Sequence, residues 1–190
     1  EFSENALYSV KKIKENRTVI IDIPSAQGID IYYFAGPDIK TVVQRYNLFS
    51  GGGCLPPIWG LGIWYRSYGG AVEEDVYRLA NEFRNTGMPV DVFGLEPGWH
   101  SHSYSCSYKW DKTRFPNSEK MLEDLNSLNY KVNLWEHLFV HPTADIYEEL
   151  LPYAGDYEVW EGLVPDFTFE EAKKIFGQHH GKAFIDKGVL

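Results

Sequence analysis

A glutamate stands near a tryptophan at two apparent strand ends in this chain, and at a third a tryptophan stands near an arginine. Glu96 lies in Leu95-Glu96-Pro97-Gly98-Trp99, Glu136 in Leu134-Trp135-Glu136-His137, and Arg66 in Trp64-Tyr65-Arg66. A carboxylate accepts hydrogen bonds from hydroxyl groups. An indole offers a flat apolar face with one polar edge. Together they suit a ligand with hydroxyls on its rim and C–H bonds on its faces, which describes a sugar ring. The aromatic content of 16%, with 13 Tyr, 11 Phe and 6 Trp, exceeds what a core alone asks for.

A rival chemistry is metal binding. His100-Ser101-His102 with Cys106 has the residue types. It lies past Pro97 and Gly98 in a Ser/Tyr-rich loop, and the further ligands that a closed site needs are not evident. His179 and His180 are adjacent on a helical stretch and face different directions. No G-x-S-x-G nucleophile turn is present. No metal and no organic cofactor is expected.

Elements must bring these residues together. Residues 90–96 form a near-continuous apolar run, as expected of a parallel strand covered on both faces. Pro97 and Gly98 stop it and leave Glu96 at its C-terminal end, where parallel α/β folds hold their ligands. Residues 58–65 and 131–136 read as two more strands, ending at Trp64–Arg66 and Trp135–His137. Helices are predicted over 72–86, with Gly87 as C-cap, over 117–129, and over 168–187, where Thr168-Phe169-Glu170-Glu171 fits a capping box. Residues 97–116 and 137–167 are irregular, with a short helix near 144–151. A fourth strand would begin at Val189-Leu190. Three βα units in this order suggest the first half of a (β/α)8 TIM barrel, an α/β fold, truncated before strand four. A doubly wound sheet is the alternative, but the turn after the first strand lacks G-x-G-x-x-G.

Before residue 58 the pattern differs. Residues 6–13, 18–23 and 29–34 read as antiparallel strands around a polar turn at 14–17. Residues 38–49 carry helical spacing with Asp38 suited to the N-cap, followed by Gly51-Gly52-Gly53 and Leu55-Pro56-Pro57. The domain boundary falls between Gly36 and Pro57.

The net charge of −9 argues against nucleic acid, which needs a basic patch. No apolar run reaches membrane-spanning length. Two cysteines, Cys54 and Cys106, are too few for a disulfide scaffold, and their pairing stays open. The first residues are not a signal peptide. The chain begins inside strand pattern and stops where an apolar run starts, so a fragment of a larger protein is expected. Compartment and oligomeric state are not encoded in any residue pattern.

Several stretches, taken in order, resemble glycoside hydrolase family 31, the α-glucosidase, α-xylosidase and α-galactosidase relatives. They are Tyr32-Tyr33-Phe34-Ala35-Gly36-Pro37, Leu55-Pro56-Pro57-Ile58-Trp59-Gly60-Leu61-Gly62-Ile63-Trp64, Gly87-Met88-Pro89-Val90-Asp91-Val92, Phe115-Pro116-Asn117, Lys131-Val132-Asn133-Leu134-Trp135 and Pro165-Asp166-Phe167-Thr168. The resemblance implies the end of an N-terminal β-sandwich over 1–36, a helix and linker over 37–57, and the N-terminal half of the catalytic barrel over 58–190. It implies a retaining mechanism with two carboxyl groups about 5–5.5 Å apart. Both would lie beyond Leu190, so the isolated chain is expected to be inactive.

The same resemblance implies a sugar subsite lined by Trp64, Glu96, Trp99, Trp135, Glu136 and His137. Glu96 stands where the family places an aspartate. Gly94-Leu95-Glu96-Pro97-Gly98-Trp99 looks closer to the branch acting on α-galactosides or N-acetylgalactosaminides. The expected partner is thus a carbohydrate with a terminal α-linked sugar. Two alternatives stand beside this: a barrel of the related α-galactosidase clan, and a non-catalytic carbohydrate-binding domain.

Overall fold

The structure is a computed structural model describing residues 8–12, 17–21, 28 and 30–189. It divides by contacts into two units, Glu1–Leu55 and Pro56–Leu190. Among the described residues no helix is long and apolar enough to cross a membrane.

In the first unit β1 (Tyr8–Lys12) pairs antiparallel with β2 (Arg17–Ile21), Val10 opposite Val19. The expected turn residues 14–16 and the strand ends at 6–7, 13 and 22–23 lie outside the described residues. The third strand expected at 29–34 does not form over residues 30–34, and Ile29 is outside the description. This segment packs through its rings instead. Tyr32 meets Phe49 at 4.7 Å, and Phe34 meets Tyr46 and Phe49 edge-on. Those partners sit on α1 (Ile39–Phe49), whose Thr41 amide donates to the Asp38 carboxylate at 2.8 Å. The aromatic pattern that signalled a strand serves a helix contact.

The second unit is built on a parallel sheet. β3 (Ile63–Arg66), β4 (Val90–Leu95) and β5 (Lys131–Leu134) run side by side in that order. α2 (Glu73–Thr86) and α3 (Ser118–Ser127) make the two crossovers. Gly87 takes a φ of 72° to end α2, as its type suggests. Val189 bridges Val132 in parallel, beside β5; Leu190 lies outside the described residues. The core between sheet and helices holds Val76, Ala80, Phe93, Leu95, Met121, Leu122, Leu125, Tyr130 and Val132.

Three expectations need correction. Residues 58–61 form a 3-10 turn, and the first strand begins only at Ile63. Gly62 presses against the Asp91 carboxylate, which accepts the Ile63 amide at 3.2 Å, so Asp91 sets where the strand starts. The capping box at 168–171 is absent. α5 (Glu170–Ala183) starts at Glu170, and the Thr168 amide donates to Asp166 at 2.9 Å, an Asx turn two residues ahead of the predicted cap. The irregular excursion at 137–167 contains, besides the short helix α4 (Tyr147–Leu150), a hairpin of β6 (Ala154–Val159) and β7 (Gly162–Pro165). Its two-residue turn is Trp160-Glu161, both at left-handed φ, 51° and 64°. Asn-Gly is the usual signal for such a turn, and it is missing here.

The loops that follow the strands are joined by backbone bonds. The Cys106 amide donates to Phe139 O at 2.6 Å and the His141 amide to Cys106 O at 3.0 Å. Val140 and Leu163 exchange both bonds, at 2.9 and 3.0 Å. A Cβ on Gly162 would collide with Ser105 and the Phe139–Val140 backbone, so only glycine lets this strand come so close. Arg114 ties the loops after β3 and β4 by donating to Gly69, Ala71 and Gly98 carbonyls at 2.7–2.8 Å.

Candidate functional site

Side chains alternate across a strand, so the sheet has two faces with separate jobs. Phe93, Leu95, Val132 and Leu134 face the helices. On the other face Arg66, Gly94 and Asn133 stand in one row across β3, β4 and β5. They line a cavity of ≈ 260 Å³ with Trp64, Glu96 and Trp135, and with Tyr65 and Leu95 at its margin. Gly94 is its floor: a Cβ there would come within 3.4 Å of Tyr65 O and 3.9 Å of the Asn133 amide oxygen.

Glu96 ends β4 between the two tryptophans. Its backbone amide donates to Ser67 Oγ at 3.3 Å. Both its carboxylate oxygens accept from the Arg66 guanidinium, through Nε and through Nη2, the latter at 2.6 Å. The glutamate side chain is 17% exposed and the arginine 72%, so the acid is sheltered and the base reaches it from solvent. The hydrogen bond and charge of Glu96 hold the Arg66 pKa above its usual value. A carboxylate has about four acceptor positions. Among the described residues Arg66 uses two of these, which leaves two for hydroxyl donors.

Trp64 is half exposed, as a stacking surface requires. Trp135 stays at the cavity, with its backbone held on three sides. Its amide donates to Leu95 O at 2.9 Å. Its carbonyl accepts from Trp99 Nε1 at 2.8 Å and from His100 Nε2 at 3.1 Å. The carbonyl fixes the proton on Nε2, leaving His100 Nδ1 buried and, among the described residues, without a partner. Burial pushes the His100 pKa down to about 4.

Trp99 does not line the cavity. It is fully buried, stacked on His100 at 3.7 Å and wedged against Trp110 and Phe184. Its place in sequence suggested a platform; the 3-10 turn at Pro97–Trp99 folds it under the site. Glu136 is also not in the cavity. It follows Trp135 and so points to the opposite face, 3.3 Å from His180 of α5 beside Leu134 and Phe176. His137 returns to the side of Trp135, which it meets at 4.6 Å edge-on.

Two residues with no warning in the sequence join that side. Trp160, at the hairpin turn, meets His137 at 5.2 Å. Tyr104 meets both Trp135 and Trp160 edge-on, at 5.7 and 5.6 Å. Both are more than half exposed and both hold positive φ, 78° at Tyr104. A bulky residue there is strained by about 1 kcal/mol or more. The only signal available in advance was their aromatic type.

Among the described residues no group of three His, Cys, Asp or Glu side chains is placed to hold a metal ion. His100 is spent on Trp135, and His102 stacks on His141 at 3.5 Å. Cys106 is buried, with its Sγ accepting the His137 amide at 3.2 Å, and burial pushes its thiol up to about 11. A thiol held that far up is a poor ligand.

Comparison with known proteins gives the lineage. The chain is 31% identical over 183 residues to Alpha-glucosidase 2 of Bacillus thermoamyloliquefaciens, and 29% over 181 residues to Alpha-xylosidase XylQ of Lactiplantibacillus pentosus. These alignments take in 87% and 86% of this chain and 23% of each relative, so the chain spans under a quarter of their length. In fold it is similar to a Flavobacterium johnsoniae GH31 dextranase solved with isomaltotriose, at TM-score 0.69 and 24% identity, covering 81% of this chain and 20% of that one. The sequence model of the glycosyl hydrolases family 31 TIM-barrel domain matches residues 53–190, well over half of the sequence. The parallel sheet and these matches agree: the chain belongs to glycoside hydrolase family 31.

Proposed function

We propose that these residues form the sugar-gripping side of the catalytic barrel of a retaining α-glycosidase. In this reading β3, β4 and β5 are the first three barrel strands, Val189 enters the fourth, and β1 and β2 are the last strands of a β-sandwich. Trp64, Glu96 and Trp135 line the subsite for a terminal α-linked sugar. His137 stands at its rim with Tyr104 and Trp160. Trp99 and Glu136 act from behind, one beneath Trp135 and the other on the far face.

The observation that carries this reading is the cavity itself. A sheltered carboxylate ends the central strand, between one indole from each neighbouring strand segment. Hydroxyls can donate to the acid while the ring's C–H faces lie on the indoles. The relatives named above are an α-glucosidase and an α-xylosidase. A preference for α-galactosides or N-acetylgalactosaminides draws no support from them. The substrate class proposed is therefore terminal α-linked pyranosides.

Titrating the 190-residue chain with methyl α-D-xylopyranoside, α-D-glucopyranoside and α-D-galactopyranoside, followed by ligand-observed NMR, tests this. At least one should bind with a dissociation constant of about 1 mM, and Trp135→Ala should abolish binding. Absence of binding to all three sinks the proposal.

A further inference from the structure

Barrel strands fill their inward positions mostly with Val, Ile and Leu. β5 breaks that habit at Asn133. The residue is in register with Gly94 and, through it, with Arg66, on the same face as Glu96 and Trp135. It is only partly buried. The side-chain hydrogen bonds around the cavity run from Arg66 to Glu96, from the Glu96 amide to Ser67, from Trp64 to the Gly60 carbonyl, and from Trp99 and His100 to the Trp135 carbonyl. None found among the described residues engages the Asn133 amide. Partly exposed and lining the cavity, the amide is available to a ligand that enters.

We propose that Asn133 contacts the sugar directly and helps decide which sugar the cavity accepts. This deepens the sugar-binding reading above and rests on it. The chemistry complements Glu96. The glutamate, whose two oxygens already accept from Arg66, serves as an acceptor. An amide both donates and accepts, so it recognises a hydroxyl's orientation as well as its presence. Gly94 makes the contact possible. With no side chain between Arg66 and Asn133, a ring can settle deep enough to reach the amide. Sites built to bond a hydroxyl reject analogues lacking it, because the buried partner is then left bare.

The test compares wild type, Asn133→Val and Gly94→Ala. Asn133→Val puts a β-branched residue into a strand and should fold with an unchanged or higher Tm. Its affinity for whichever methyl α-glycoside binds wild type should fall about tenfold. Monodeoxy derivatives of that glycoside locate the contact. One of them should bind wild type about tenfold more weakly, yet bind Asn133→Val no worse than the parent sugar does. Gly94→Ala meets nothing closer than 3.4 Å, so it should fold and still lose affinity. If wild type and Asn133→Val bind the parent sugar equally well, the assignment of Asn133 fails alone. If wild type binds none of the sugars, the sugar reading itself fails and takes this inference with it.

Discussion

Arg66 grips both oxygens of Glu96 across thirty residues of sequence, from one strand end to the next. The bidentate fork fixes the plane of the carboxylate. Arg66 thereby decides which of the acid's acceptor positions point into the cavity. Arg66→Lys keeps the charge and loses the fork. Because Arg66 is largely exposed, the stability cost read by urea denaturation should be small. Sugar affinity should fall more than stability does. Equal affinity in wild type and Arg66→Lys would remove Arg66 from the site.

Glu96→Gln keeps the shape of the side chain and removes its charge. A charge-assisted bond to a hydroxyl becomes an ordinary one, so binding should weaken about tenfold or more. Calorimetric or NMR titration reads this directly.

Among the described residues the cavity holds one carboxylate, since Glu136 lies on the opposite face of the sheet. Retaining hydrolysis needs two, about 5–5.5 Å apart. The 190-residue chain should therefore bind sugar without releasing 4-nitrophenol from aryl α-glycosides. Release above a blank would mean that a second carboxyl reaches the cavity.

His100 couples stability to acid. Its folded pKa is lowered to about 4 by burial, whereas an unfolded histidine takes its proton near 6.5. Between those values the unfolded chain binds more protons, so stability falls as pH falls through that window. The loss is up to about 3 kcal/mol by pH 4. His179 and His141, also lowered by burial, add in the same direction. Urea midpoints at pH 7, 5.5 and 4 should show this slope, reduced in His100→Gln, whose amide can still donate to Trp135. An identical slope in both proteins would exclude His100 as the source.

Glu161 occupies a left-handed position that suits glycine. Glu161→Gly should raise stability by roughly 0.5 kcal/mol, the relief of strain being partly offset by a more flexible unfolded chain. A thermal melt checks the sign.

The position of Glu96 directly after β4 was legible because a continuous apolar run met Pro97 and Gly98 at one point. Trp64 and Trp135 followed from the same rule applied to the neighbouring strands. Glu136 was misassigned by the alternation of the strand: one residue past an inward tryptophan faces outward. Trp99 was misassigned because residue type does not distinguish a platform from a plug when the 3-10 turn that places it has no clear signature. The Arg66–Glu96 pair was hidden because contacts thirty residues apart depend on strand register. Trp160 and Tyr104 were hidden because their turns use residues that ordinarily avoid positive φ.

The loops that carry Tyr104, His137 and Trp160 are stitched at Cys106, Val140 and Leu163 by main-chain bonds. Main-chain bonds are indifferent to the side chains that hang beside them. The frame and its fittings are thus separable: Tyr104, His137 and Trp160 can be exchanged, residue by residue, while the seam stays closed. Gly162, pinched against Ser105 and the Phe139–Val140 backbone, is denied that freedom.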